Sequence, residues 1–325
     1  MSVARKLRLL AGLTATVLAT VVSAASAGPL AISPAAGTPD VSPRTQISVL
    51  GVSPARIASV TVTGATSGAH SGRLLPYSHG RGASFVLSNP LTEGERVAVV
   101  VRIAGRAPVR FSFGVAHVGA TQPPLRIATI QPDKLDHYVS EPGLQAPHVT
   151  VLRAAPSLPG SIFLTPLPAP IVHPGSNNTV TISPVGPGGP MVVDGRGRLV
   201  WFKQLASPVV AANLRLQRFD GRPVMTWWQG TVTPSAFGLG EGVIADRSYR
   251  TIHTVHTGNG YAMDLHEFTL TPDGDALATI YAPVLVHLPG TAAGALSPLL
   301  DAIIQETDVR TGLVVWEWHA LGHIP

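Results

Sequence analysis

Asn213 and His266 stand 53 positions apart (266 − 213), each at the head of a similar segment: "NLRLQRFDGRPVMTWW" from 213 and "HEFTLTPDGDALATIY" from 266. Both segments turn on Asp-Gly, at Asp220 and Asp273, between alternating apolar residues, a strong hairpin pattern. Ser161 opens a more irregular copy 52 residues before Asn213 (213 − 161). Polar residues at one repeated position suit a polar or anionic ligand. An imidazole there can donate a hydrogen bond, act as general acid or base, or attack as a nucleophile. The plain alternative is a solvated histidine at a strand start. Neighbours in a strand point to opposite faces, so no His266–Glu267 pair is expected.

Other candidates carry less chemistry. His319 and His323 lie four apart, a metal spacing on a helix, but "HALGHIP" holds Gly and Pro after a strand and reads as a loop; no metal is expected. The "DGDAL" stretch at Asp273 lacks the closing Glu of a calcium loop and reads as a turn. "GLGEG" at Gly238–Gly242 lacks the strand-to-helix context of a phosphate loop and reads as a turn at a strand start. His70, His79 and His117 read as surface groups, and Trp227, Trp228, Trp316 and Trp318 as packing between repeats. Asn177-Asn178-Thr179 forms a glycosylation sequon. With 0 Cys, disulfides, thiolate zinc sites and Cys nucleophiles are all excluded.

The repeat sets the elements that hold these residues. "MVVDGRGRLVWF", "VIADRSYRTIHTV" and "QETDVRTGLVVWEW" each carry an apolar strand ending in Asp, a short turn and a second apolar strand. Their aspartates are Asp194, Asp246 and Asp308, spaced by 52 (246 − 194) and 62 (308 − 246). Alternating with the Asp-Gly hairpins, they make four strands per unit, the pattern of a β-propeller. Blades are expected at about 161–206, 213–257 and 265–320. The first strand of a blade lines the central channel, which places Asn213 and His266 beside it. Three blades do not close a ring of four to eight, so the chain is expected to be the N-terminal portion of a longer protein.

Upstream, short strand-like runs separated by Gly, Pro and Ser predict an immunoglobulin-like β-sandwich over 28–120. A Pro-rich connector follows at 121–160, its best strand at His148–Leu152. The composition agrees with an all-β chain: 45% hydrophobic, 13% charged, 33 Gly and 30 Pro among 325 residues. Residues 1–27 have a basic start (Arg5, Lys6, Arg8), an apolar stretch and Ala25-Ser26-Ala27, the layout of a secretory signal. Without it, 20 basic residues (23 − 3) face 18 acidic ones, a net charge of +2. That balance gives no reason to expect a nucleic-acid partner. A secreted protein is expected, with no membrane association beyond retention of the leader as an anchor.

"GPMVVDGRGRLVWFKQL", "LRLQRFDGRPVMTWWQG", "GEGVIADRSYR", "NGYAMDLHEFTLTPDGDALATIY" and "QETDVRTGLVVWEWHALGHIP" together resemble the arylsulfotransferase-like family, in its secreted actinobacterial and fungal branch. The resemblance implies a six-bladed propeller that moves a sulfuryl group from a phenolic sulfate ester to a phenol through a sulfo-histidine, with no cofactor. It implies that His266 is the first channel histidine, in a supporting role; Asn213, at the equivalent position one blade earlier, is expected to border the substrate. The family's nucleophilic histidine lies in later blades, so this chain alone is expected to be inactive. The reading from another class is a secreted propeller that binds a ligand or surface polymer without catalysis.

Overall fold

The computed structural model describes residues 29–125, 135–153, 160–166, 169–172, 180–183, 187–288, 290, 292 and 295–323. The expected leader and the sequon lie outside the described residues. Among the described residues all regular structure is β, apart from short 3-10 turns at Pro54–Arg56 and Ala320–His323.

Eight strands build the first unit: β1 (Ala31–Ser33), β2 (Gln46–Leu50), β3 (Ile57–Gly64), β4 (Gly68–His70), β5 (Gly72–Pro76), β6 (Gly82–Leu87), β7 (Arg96–Ile103) and β8 (Val109–Gly114). They form two antiparallel sheets, ordered β1-β2-β6-β5 and β4-β3-β7-β8. The period of two is plain in β7, where Val97, Val99, Val101 and Ile103 are buried. These side chains meet Ile47, Val49, Val62, Ala83 and Phe113 in one core. Each buried Val or Ile contributes about 1.5–3 kcal/mol.

The Pro-rich region departs from expectation. The strand expected at His148–Leu152 is not formed. A hairpin of β10 (Leu135–Tyr138) and β11 (Glu141–Pro147) stands just upstream instead, after the two-residue β9 (His117–Val118). Its Tyr138, Leu144 and Ala146 pack with Val149 on Met191, Val193 and Phe202. Tertiary packing overrides the local preference of "HVTVL" for strand.

Three further sheets follow. The first joins β12 (Ser161–Leu164), β15 (Met191–Asp194) and β16 (Leu199–Phe202), with a separate hairpin of β13 (Ala169–Val172) and β14 (Val180–Ser183) between them in sequence. The second is the meander β17 (Val210–Phe219), β18 (Arg222–Val232), β19 (Gly238–Ala245) and β20 (Thr251–Val255). The third is the meander β21 (Phe268–Leu270), β22 (Asp275–Val286), β23 (Ser297–Asp308) and β24 (Val314–His319), with β9 on the far end of β22. Asp220 and Gly221 join β17 to β18 with φ of 51° and 71°, the two positive values that a type I′ hairpin turn requires.

The repeated aspartates cap the outer turns. Asp194 Oδ1 accepts the Arg196 and Arg198 N–H groups, and Asp246 Oδ1 those of Ser248 and Arg250. Arg198 and Arg250 then ion-pair back to the same carboxylates. The third copy has Gly312 where the arginine stands, and Asp308 Oδ2 instead accepts the Ser78 N–H at 2.6 Å. The same turn therefore docks the N-terminal unit.

Adjacent tryptophans link the sheets. On β18 Trp227 packs with Val192, Phe163 and Trp201 of the preceding sheet. Trp228 packs with Met263, Phe268 and Ala278 on the other side. The N-terminal sandwich rests on the third sheet, where Ser48 and Tyr77 both donate to the Val314 carbonyl, at 2.6 and 2.7 Å. His79, expected to be an isolated surface group, belongs to this junction, with Nε2 at 3.6 Å from Asp275.

Glu306 lies in the same junction. Burial and the charges of Asp275 and Asp273 push its carboxyl up to about 7. A raised folded-state value means stability that is fully present below the unfolded value of about 4.5 and lost as pH rises through 7. The melting temperature of the chain is expected to fall between pH 5 and pH 7.5. Glu306→Gln should flatten that slope in a thermal denaturation series; an unchanged slope would contradict it.

Candidate active site

His266 lies in a bend before β21, so the strand starts at Phe268, two residues later than the sequence pattern suggested. The segment that presents it is tied to two sheets at once. Met263 exchanges both backbone hydrogen bonds with Gly240 of β19, at 3.0 Å each, while the Asp264 N–H donates to the Thr279 carbonyl of β22 at 2.8 Å. Asp264 is fully buried.

Its carboxylate gathers four donors. Oδ1 accepts the Gly238 N–H at 2.6 Å. Oδ2 accepts the His266 N–H at 2.9 Å, the Thr279 hydroxyl at 3.3 Å and Nδ1–H of the His266 ring at 2.6 Å. A buried, fully satisfied acceptor at Nδ1 fixes the tautomer and the ring plane. Nε2 is left as the reactive nitrogen on a side chain 56% exposed. The ring also meets the edge of Tyr281, centroids 6.2 Å apart at 84°.

Asn213 reaches the same place. It sits at a bulge in β17 with φ of 61°, a left-handed conformation that asparagine tolerates, and its Nδ2 donates to the His266 carbonyl at 3.4 Å. Ser161 opens β12 and stays apart, exposed beside Phe163 and Tyr249 in a separate groove. Glu267 does turn away from His266. Arg215 Nη2 binds Glu267, the Phe268 carbonyl and Thr269 Oγ1. Burial opposes the charge on Glu267, yet hydrogen bonds from Thr269 and Arg215, with the guanidinium charge, hold its carboxyl below the usual range.

Sequence reasoning passed over Asp264. Its signal was the Asp-x-His spacing, in which a carboxylate can accept both the main-chain N–H and the ring N–H two residues on. The glycines of "GLGEG" also have a use here. They lie in β19, not in a turn, and Gly230, Gly238 and Gly240 clear the space for the Trp228 indole: a Cβ on any of them comes within 2.6 Å of its Cζ2. A Cβ on Gly238 also falls 2.8 Å from the Leu265 nitrogen. Gly238→Ala is therefore expected to cost about 1–3 kcal/mol by overpacking. It should also raise exchange at the Gly240 and Met263 amides; protected amides at wild-type stability would contradict this.

The other candidates separate. His323 stacks on Trp318 at 5.0 Å, while His319 is buried on Asp301, so the two do not share a site. A cavity of about 560 Å³ lies between the sandwich and the third sheet, lined by Arg44, Leu91, Asn259, Tyr261, Tyr281 and Pro283 among others. Tyr281 thus borders both the cavity and the His266 ring.

A search of curated proteins finds no match. Residues 215–325 match the family model described as arylsulfotransferase (ASST), a span that opens at Arg215 and carries Asp264, His266 and Tyr281. Over that span, about a third of its length, the chain is similar to the arylsulfotransferase family.

Proposed function

We propose that the protein is an exported aryl sulfate sulfotransferase-like enzyme built on an immunoglobulin-like sandwich and blades of a β-propeller. The two four-stranded meanders, each in sequential order, support the blade reading. The basic and apolar leader supports export.

The observation that carries the reaction is the Asp264-anchored His266 inside the matched span. In the proposed reaction the bond between sulfur and the donor's phenolic oxygen breaks. The sulfuryl group passes to a nucleophilic histidine nitrogen and then to the acceptor's oxygen. The proton lost by the acceptor phenol balances the one gained by the departing phenolate. Protonated His266 donates from Nε2 to a sulfuryl or phenolic oxygen, where negative charge grows as the bond breaks. Asp264 holds the ring for that donation. Asn213 keeps its carbonyl oxygen for a phenolic hydroxyl. The cavity beside Tyr281 offers apolar and aromatic walls to the aryl ring, and Arg44 a cation to the sulfate.

The test is transfer from 4-nitrophenyl sulfate to phenol by a full-length version, this chain together with the later blades expected to carry the nucleophilic histidine, read as release of 4-nitrophenolate. His266→Ala should lower turnover, and Tyr281→Ala should raise KM by about tenfold, the loss of one aromatic contact. Unchanged turnover in His266→Ala would remove His266 from the reaction.

A further inference from the structure

The end of β24 carries charged groups that the sulfuryl chemistry does not use. Asp40 of the sandwich meets Asp301 of β23 and Glu317 and His319 of β24, with exposures of 4%, 1%, 4% and 3%. His319 Nδ1 is 2.8 Å from Asp301 Oδ2 and 3.7 Å from Asp40 Oδ1, while Nε2 is 3.4 Å from Glu317 Oε1. Three carboxylates thus surround one imidazole. Among the described residues no Lys or Arg is paired with any of them.

Several of these atoms are orphaned. Both oxygens of Asp40, Oε1 of Glu317 and Nε2 of His319 are buried without a hydrogen-bond partner. The other Glu317 oxygen is well held, by Asn259 at 2.8 Å and Gln305 at 3.0 Å, and Asp301 Oδ1 accepts the Leu321 N–H. Burying uncompensated carboxylates is costly enough that such groups are normally paired or coordinate a metal.

One cation accounts for all four orphans. Ligand atoms of Asp40, Asp301 and His319 lie within 4.8 Å of one another. That span is about twice a metal–ligand bond of roughly 2.0–2.4 Å. A metal on His319 Nδ1 takes up Asp40 and turns Nε2–H toward Glu317 Oε1, the carboxylate–histidine–metal arrangement in which an outer carboxylate orients the ring. One imidazole with carboxylates suits zinc or manganese better than calcium.

We propose that Asp40, Asp301 and His319, oriented by Glu317, bind one divalent ion of the zinc or manganese class. The ion fastens the N-terminal sandwich to the third sheet, because Asp40 comes from one and the other ligands from the other. A proton on His319 is the competing occupant. Burial opposes it, but the carboxylates of Asp301, Asp40 and Glu317 push the imidazole up to about 11.

The test uses the whole chain, stripped with EDTA, reloaded with Zn²⁺ or Mn²⁺, freed of unbound ion and assayed by elemental analysis. One equivalent of either ion is expected. The melting temperature should rise by about 5 °C or more on reloading, the size expected of a ligand well above its Kd. Asp40→Asn and His319→Gln should each lose the ion and the shift. If these variants do not fold, Co²⁺-loaded wild type should show ligand-field bands of a site containing nitrogen and oxygen. No bound metal and no EDTA effect, equal binding by folded variants, or Co²⁺ bands of the hydrated ion alone would overturn the proposal.

Discussion

Asp264→Asn is expected to lower sulfuryl transfer by about 100-fold while leaving KM within about threefold, the pattern of a group that positions a catalytic histidine. The substitution keeps the size of the side chain but changes what it offers. Asp264 now accepts from the Gly238 N–H, the His266 N–H, the Thr279 hydroxyl and the His266 ring. An amide has one oxygen for those four donors, and its NH₂ must face one of them. The cheapest repair is a turned ring, which points Nε2 away from the substrate, or a neutral ring whose Nδ1 accepts from the new amide, which loses the imidazolium that donates from Nε2. His266→Ala should cost a similar factor and the double variant little more, because the two residues act as a unit. A second readout does not depend on turnover. In ¹⁵N-edited NMR the His266 Nδ1–H signal should be strongly shifted in the wild type and lost in Asp264→Asn. A wild-type ring spectrum in the variant would show that Asp264 does not hold the ring. A changed spectrum at full turnover would leave the dyad without a catalytic purpose.

The dyad also shows where sequence reasoning stops. The hairpins at Asp220 and Asp273 were legible because Asp-Gly between alternating apolar residues has a local cause, positive φ in a tight turn. The three repeated aspartates were legible as a pattern, and the turn they cap explains the repeat. The resemblance to the arylsulfotransferase family could be read from the same segments. What could not be read are contacts made across sheets. Asp264 is fixed by Gly238 and Thr279, which lie 26 and 15 residues away. His319 finds Asp40 from a different unit, and no spacing in the chain announces that meeting. Alternation sent Glu267 away from His266, but its partner Arg215 lies on another strand, 52 residues back. The hairpin at 135–147 was hidden because "EPG" within it looks like a break, and its apolar residues matter only against Met191 and Phe202.

Trp228→Ala carries the largest expected loss of stability, about 3–5 kcal/mol, the usual cost of emptying a buried aromatic position. Three effects combine. The indole is fully buried between the second and third sheets, against Met263, Phe268 and Ala278. Its Nε1–H donates to the Met263 carbonyl at 2.9 Å, and that carbonyl also receives the Gly240 N–H. The slot made by Gly230, Gly238 and Gly240 has no side chains of its own to collapse into the space. The damage should reach the site, because Met263 precedes Asp264 and the slot glycine Gly238 donates to Asp264. Trp228→Phe separates these effects. It keeps most of the apolar contact but loses the donor, so about 1–2 kcal/mol is expected from the hydrogen bond and the reduced volume. Urea denaturation at matched m-values measures both. A loss below about 1 kcal/mol in Trp228→Ala would mean that Trp228 does not join the two sheets. Equal losses in both variants would mean that the bond to the Met263 carbonyl, and not the packed ring, holds the Asp264 segment in place.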